Sequence, residues 1–461
     1  MRRPSRADAV PYGLGAVLAV VYAAISLSRY RRFDTPSWDN AIFEQAIRGY
    51  ASLGAPIVDI KGPGYNILGD HFSPITALVA PVYRLFPDGA TLLVVQAVLV
   101  AASVVVVARL ATEHLGPVAG AFVGAAYGLS FGIQAAVDVD FHEVAFAAPM
   151  LALAGAAYVR RQWVRVAAWT VPLLLVKEDL GVTVVAVGVV LLLSGARRVG
   201  VGVVVAGAAG FVLTLLVLIP LMNPQGTYDY LGVVGAGGGL DAGPGPLTVL
   251  FTDVGTKVAT LLVTFGVTGF LALRSPWVLV AGPTLLWRFV GDNPYYWGID
   301  WHYSLVLMPI VFCAMVDAIV RLRAGGGPSW VRTYAGQAPG IVTAVALVMC
   351  LQLPVSTLFQ AETWQEAPRA AAARAALDAI PAGSSVETDI GLITHLASDR
   401  TVYWTGTVGD AVPDYVLVDT QGGGWSQSPD VVAYAQAQHP GTRYEQVLDE
   451  GGFLVARRLP T

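Results

Sequence analysis

Charge is scarce in this 461-residue chain: Asp, Glu, Lys and Arg make up 13% of it, roughly half the share usual in a soluble domain. The apolar fraction is 55% and the mean hydropathy +0.61. That balance excludes an ordinary water-soluble enzyme, and equally a disordered chain. Cysteine is nearly absent. Cys313 and Cys350 both sit inside apolar runs, which argues against a disulfide framework or a thiolate metal site. A formal net charge of −4 leaves no basic excess for holding nucleic acid. A phosphate-binding glycine loop opening a helix is also missing, since Gly422-Gly423-Gly424 reads as a plain turn.

Long apolar runs are what the sequence does have. A helix needs roughly 20 apolar residues to cross the hydrocarbon of a bilayer. About eleven such runs are legible by that measure, near 11–28, 89–108, 117–134, 143–159, 164–180, 181–194, 199–221, 257–273, 276–290, 303–320 and 338–360. The first carries no small-residue cleavage site behind it and is read as a retained helix. Residues 73–86 are apolar but short and contain Pro74 and Pro81, which predicts a helix lying at the interface.

Arg2, Arg3, Arg6, Arg109, Arg160, Arg161, Arg165, Arg197, Arg198, Arg274, Arg321, Arg323 and Arg332 fall on one set of connections. Acids gather on the other set. Basic loops stay inside, so the N-terminus is expected in the cytoplasm, although Arg29, Arg31, Arg32, Lys61 and Arg84 lie in the first outer loop.

From residue 363 the composition turns soluble. An Ala-rich helix over 368–380, strands over 385–389, 401–405, 415–419, 444–448 and 453–457, and helices near 390–397 and 429–438 predict a small α/β unit. It reads as a cap or docking module. The expected fold class is an all-α polytopic membrane domain over 1–362, with a long first outer loop at 29–88. A small extracytoplasmic α/β domain follows over 363–461.

Ionisable residues at membrane depth are costly and mark candidate sites. If the stretch that opens with Trp38-Asp39 is helical, Glu44 lies roughly 140° from Asp39 around it, and both cannot face one ligand directly. One carboxylate faces a ligand and the other braces the loop, and Asp39 also suits a helix cap. Asp70-His71 precedes the interfacial helix, as a ligand contact or a capped turn. In Asp138-Val139-Asp140-Phe141-His142-Glu143, strand-like alternation would put Asp138, Asp140 and His142 on one face. That face suits hydrogen bonding to a substrate or to the loop, with a divalent cation as the weaker alternative, and no cofactor is demanded. Lys177-Glu178-Asp179 interrupts apolar sequence, with Lys177 either a phosphate ligand or half of a buried ion pair. Arg288 suits a bidentate phosphate contact. His302 and Tyr303 end an aromatic cluster suited to a sugar ring or an isoprenoid chain, or to an interfacial belt. Tyr228 and Tyr230 lie in a Gly-rich loop.

The order WDxxIFEQ, GDHFSP, DFHE, KED and HYS-x(4)-P closely resembles a large bacterial family of predicted membrane proteins of unknown function, across about 30–310 and again near 398–403. That family in turn is similar to the GT-C glycosyltransferases. The resemblance implies a GT-C-like membrane domain and a sugar donor carried on a polyprenyl phosphate. The acceptor would be an extracytoplasmic glycan, lipid or protein. Asp39 would be the general base, with Glu44 in reserve, because the paired Asp-Glu of several relatives is absent. Lys177, Arg288, His71, His302 and Tyr303 would hold the donor. Asp70, Asp140, His142, Glu143, Glu178 and Asp179 would support them. Rival readings are a transporter or flippase of a lipid-linked sugar, and a non-catalytic scaffold.

Overall fold

The computed structural model describes residues 6–228 and 245–460, the first three of them by backbone only. It is mostly helical and ends in a small sheet. Five helices among the described residues are long and apolar enough to cross a membrane: Ala9–Arg31, Gly89–Leu115, Pro117–Asp138, Arg197–Met222 and His302–Arg323.

Five is fewer than eleven, and helix length explains most of the difference. Runs that read as spans in the sequence end early as regular helix, as in Glu143–Val159, Trp163–Leu175, Leu180–Leu193, Val254–Gly266 and Pro276–Val290. At 1.5 Å per residue a helix of this size covers roughly two-thirds of a 30 Å hydrocarbon core. The last predicted run is also displaced, because its helix starts at Ser329 and breaks after Met349. Irregular backbone takes up the missing length at 139–142, 176–179 and 291–301. Such backbone is tolerated at depth only where it is buried in protein or lines a polar cavity.

Packing separates inner from outer helices. The most apolar window of His302–Arg323 is 89% buried, against 22% for Arg197–Met222 and 33% for Ala9–Arg31. The outer helices turn Val17, Val20, Val201, Val205 and Leu216 outward. An apolar surface of this kind is stable against lipid, not water. Leu180–Leu193 and Arg197–Leu213 approach closely because Gly188 and Gly207 meet the facing backbone directly.

The two ends of the helical body differ in charge. Arg160 bonds Glu113 with a 2.6 Å contact and Arg323 donates to the His114 carbonyl, which brings the last turns of three helices to one basic end. The opposite end gathers the carboxylates and imidazoles described below.

That second end carries the Trp38–Ala51 helix and the C-terminal unit. Strands β1 (Ser385–Thr388), β2 (Thr401–Trp404), β3 (Tyr415–Asp419), β4 (Tyr444–Glu450) and β5 (Phe453–Arg458) form a sheet ordered β2-β1-β3-β5-β4. β1 is parallel to β2 and β3, and β5 is antiparallel to β3 and β4. One sheet face shares a core with the first loop: Ala41, Ile42, Ala46, Val58 and Ile60 pack with Val386, Val402 and Val455. Polar contacts reinforce it. Asn40 donates to Thr394 Oγ1 at 2.7 Å, Gln45 to the Val402 carbonyl at 3.0 Å, and Arg48 to the carbonyls of Ala397 and Arg400. The helix that opens with Trp38-Asp39 is therefore held between the membrane helices and the sheet.

Candidate functional site

The site starts from a backbone constraint. Ser37 and Asp140 both adopt left-handed conformations, φ 68° and 69°, which non-glycine residues rarely do. The Ser37 N–H donates to Asp140 Oδ2 at 2.8 Å and fixes the two strained residues to each other. Gln96, a lone amide inside an apolar helix, donates to the carbonyls of Ala136 and Asp140 and accepts from the His142 N–H at 3.0 Å. Those bonds aim His142 at Asp39.

His142 Nε2 lies 3.1 Å from Asp39 Oδ2. The imidazole is 4% exposed, whereas the Asp39 side chain is 43% exposed. One partner is anchored and the other meets open space. Burial pushes the Asp39 carboxyl up, but His142, Lys177 and His71 together hold it below the usual aspartate range. Burial lowers His142, and the Asp39 charge and hydrogen bond outweigh it, so the imidazole binds its proton more tightly than usual. The His302 ring stacks on His142 with centroids 3.6 Å apart, and Tyr303 follows at 4.2 Å from His302. His302 Nδ1 is buried with no partner among the described residues.

Two further ion pairs lie near Asp39. Lys177 Nζ meets Glu143 Oε1 at 2.7 Å. His71 Nδ1 meets Glu178 Oε1 at 3.0 Å, and the Phe72 N–H and Tyr228 hydroxyl also donate to that carboxylate. Burial raises Glu178, but His71 and Lys177 hold it down to about 2. Asp179 is pushed up to about 6, chiefly by burial, and its Oδ1 has no partner among the described residues. Tyr230 lies outside the described residues.

Several expected roles need correction. Arg288 is fully buried, with its nitrogens committed to the Tyr296 and Gly298 carbonyls and to Ser304 Oγ. It shapes the aromatic segment and has no face turned to a phosphate. Glu44 is also fully buried, on the far side of its helix, and accepts from the Tyr83 hydroxyl at 2.9 Å. It has no open side from which to serve as the reserve base expected of it. Asp138, Asp140 and His142 do not share a face, because the left-handed turn at Asp140 ends any alternation. Asp138 pairs with Arg29 at 2.5 Å, Asp140 with Ser37, and His142 with Asp39. Among the described residues, no three His, Cys, Asp or Glu side chains are grouped to hold a metal ion. Asp70 points away, to Lys61 at 2.9 Å.

The profile of the DUF2079 family, described as a predicted membrane protein, matches residues 29–455. The chain belongs to this family. No curated protein matches it. Every residue of the Asp39 and Lys177 clusters lies inside the span shared with DUF2079.

In this DUF2079 member the sequence reading missed Gln96, Ser37 and Tyr83. Gln96 had a usable signal, a polar amide within an apolar span. The other two carry none. Burial pushes the Glu44 carboxyl up to about 8, so the group is protonated at neutral pH. Glu44→Gln should therefore change thermal stability by less than about 1 kcal/mol, read from the unfolding midpoint in detergent. A large loss would mean that the charged form is needed.

Proposed function

We propose that this membrane protein is a glycosyltransferase that moves a sugar from a polyprenyl-phosphate donor to an acceptor hydroxyl, with Asp39 as general base. The observation that carries the reading is the exposed Asp39 carboxylate, oriented by a buried imidazole 3.1 Å away. An ionised carboxylate at hydrogen-bond reach of a hydroxyl takes its proton as the anomeric carbon is attacked. Lys177 and His71 supply positive charge nearby for the departing phosphate. An ammonium has three donors, and only Glu143 takes one from Lys177 among the described residues.

The orientation that fits this chemistry puts the Asp39 end outside the cell and the arginine-rich end in the cytoplasm. In the GT-C-like arrangement the shorter apolar helices complete a bundle of about eleven passes, and the donor lipid lies between them. A transporter or flippase of a lipid-linked sugar is the alternative. It needs charged groups along a through-path. Asp317, inside the Leu307–Arg323 helix, accepts from Arg321 and Ser275 and is closed on those partners.

The test is Asp39→Asn in nanodiscs, supplied with a panel of polyprenyl-phosphate sugars and scored for donor turnover. The substitution keeps the side-chain shape and removes the base, so turnover should fall about a hundredfold or more while the protein inserts normally. Turnover at the parent rate would remove Asp39 from the mechanism. Donor crossing the bilayer unchanged would favour transport.

A further inference from the structure

A second polar cleft lies apart from the Asp39 cluster, where the first helix meets the segment leading to the sheet. It encloses about 280 Å³ between Ser28, Arg31, Arg32, Trp364, Glu366 and Arg374. Three guanidinium groups face one carboxylate there. Arg32 is pinned by the Glu362 and Gln365 carbonyls, and Arg374 pairs with Glu366. Arg31 differs. Its Nε donates to the Leu27 carbonyl at 3.3 Å, and its terminal nitrogens have no acceptor among the described residues.

The surroundings identify the level of the cleft. Leu351, Phe359 and Trp364 are 77%, 87% and 62% exposed on the segment below the sheet. Aromatic and apolar side chains this exposed beside arginines, at the end of an apolar 23-residue helix, belong at a membrane–water interface. Helix geometry adds a track. Val20 and Arg31 are eleven residues apart, only about 20° around the helix and roughly 16 Å along it. Val17, within about 40° of Arg31 on the same count, and Val20 are 60% and 69% exposed. An apolar stripe therefore runs into the bilayer directly beneath an unpaired guanidinium.

We propose that this cleft binds the phosphate headgroup of an anionic membrane phospholipid, with an acyl chain lying along Val17 and Val20. The phosphodiester accepts from the Arg31 fork, and Arg374 adds charge from the opposite wall. A lipid held there would bridge the first helix and the 363–374 segment, and so fasten the sheet unit to the membrane surface. The inference is independent of the glycosyltransferase reading.

The test uses the whole protein in nanodiscs of phosphatidylcholine with phosphatidylglycerol as the minor component, followed by detergent extraction and native mass spectrometry. The parent protein should retain phosphatidylglycerol in preference to phosphatidylcholine. Arg31→Gln and Arg374→Gln should each lower that retention about fivefold, with the unfolding midpoint unchanged. Arg109→Gln, at the other end of the body, should not. Equal retention in the cleft variants overturns the proposal. So does displacement of the retained lipid by millimolar inorganic phosphate, which would mark a site for free phosphate.

Discussion

His142→Gln should lower sugar transfer about a hundredfold and move the acid limb of the pH–rate profile to higher pH. Gln keeps a donor near Asp39 but cannot carry the positive charge. In the parent protein that charge is the main influence opposing burial at Asp39. Without it the Asp39 carboxyl titrates at higher pH, and less of it is ionised at any acidic pH. Asp39 is held down, so its contribution to stability is present above its ordinary pKa and is lost as pH falls through the folded value. His142 is held up, so its contribution is full below the ordinary imidazole pKa and fades as pH rises through the folded value. The pair is strongest in the window between those two titrations. A role for His142 in packing alone would lower the rate without moving the limb, so an unmoved limb would remove it as the residue that positions Asp39.

The fold was largely legible where local pattern decides it. The strands at 385–388, 401–404, 415–419, 444–450 and 453–458 alternate or run apolar between clear turns, and each formed within a residue or two of its expected place. The apolar runs were equally plain as helices. Their lengths were not, because hydropathy does not register where a chain leaves the helix while staying buried. The break at Lys177-Glu178-Asp179 shows why. The three charges signal an interruption, but Glu143 and His71, which make that interruption stable, are distant in sequence.

The site was legible as a set of residues more than as a set of roles. Asp39, His71, His142, Lys177 and His302 stand out as polar exceptions in apolar sequence, and the structure brings them to one end of the helices. Arg288 stands out in the same way and serves the backbone of the neighbouring segment instead. A guanidinium that satisfies carbonyls and one that faces a ligand leave the same mark in sequence. Glu44 and Asp39 could be told apart only as a pair on different faces. Which face stayed open depended on the C-terminal sheet that covers the other side of the helix, some 350 residues away in the chain, as the Asn40–Thr394 bond shows.

Lys177→Met should cost about 3–5 kcal/mol of stability, seen as a lower unfolding midpoint in detergent, because it leaves the Glu143 carboxylate buried without its counter-charge. Glu143 is 1% exposed and Lys177 17%. Burial alone would lower the Lys177 ammonium, yet Glu143, Glu178 and Asp179 hold it above its ordinary range. Combining Lys177→Met with Glu143→Gln removes both charges, leaves a neutral amide of the same shape, and should recover most of the lost midpoint. Donor turnover separates structure from chemistry. If Lys177 steadies the departing phosphate, the double variant stays inactive although it is stable, because no ammonium remains to meet the charge. A double variant that is stable and turns donor over at the parent rate would leave the Lys177–Glu143 pair as a brace between helices and assign the phosphate to His71. A single variant as stable as the parent would show that Glu143 gives up its charge once Lys177 is gone, and the pair would then contribute nothing to the fold.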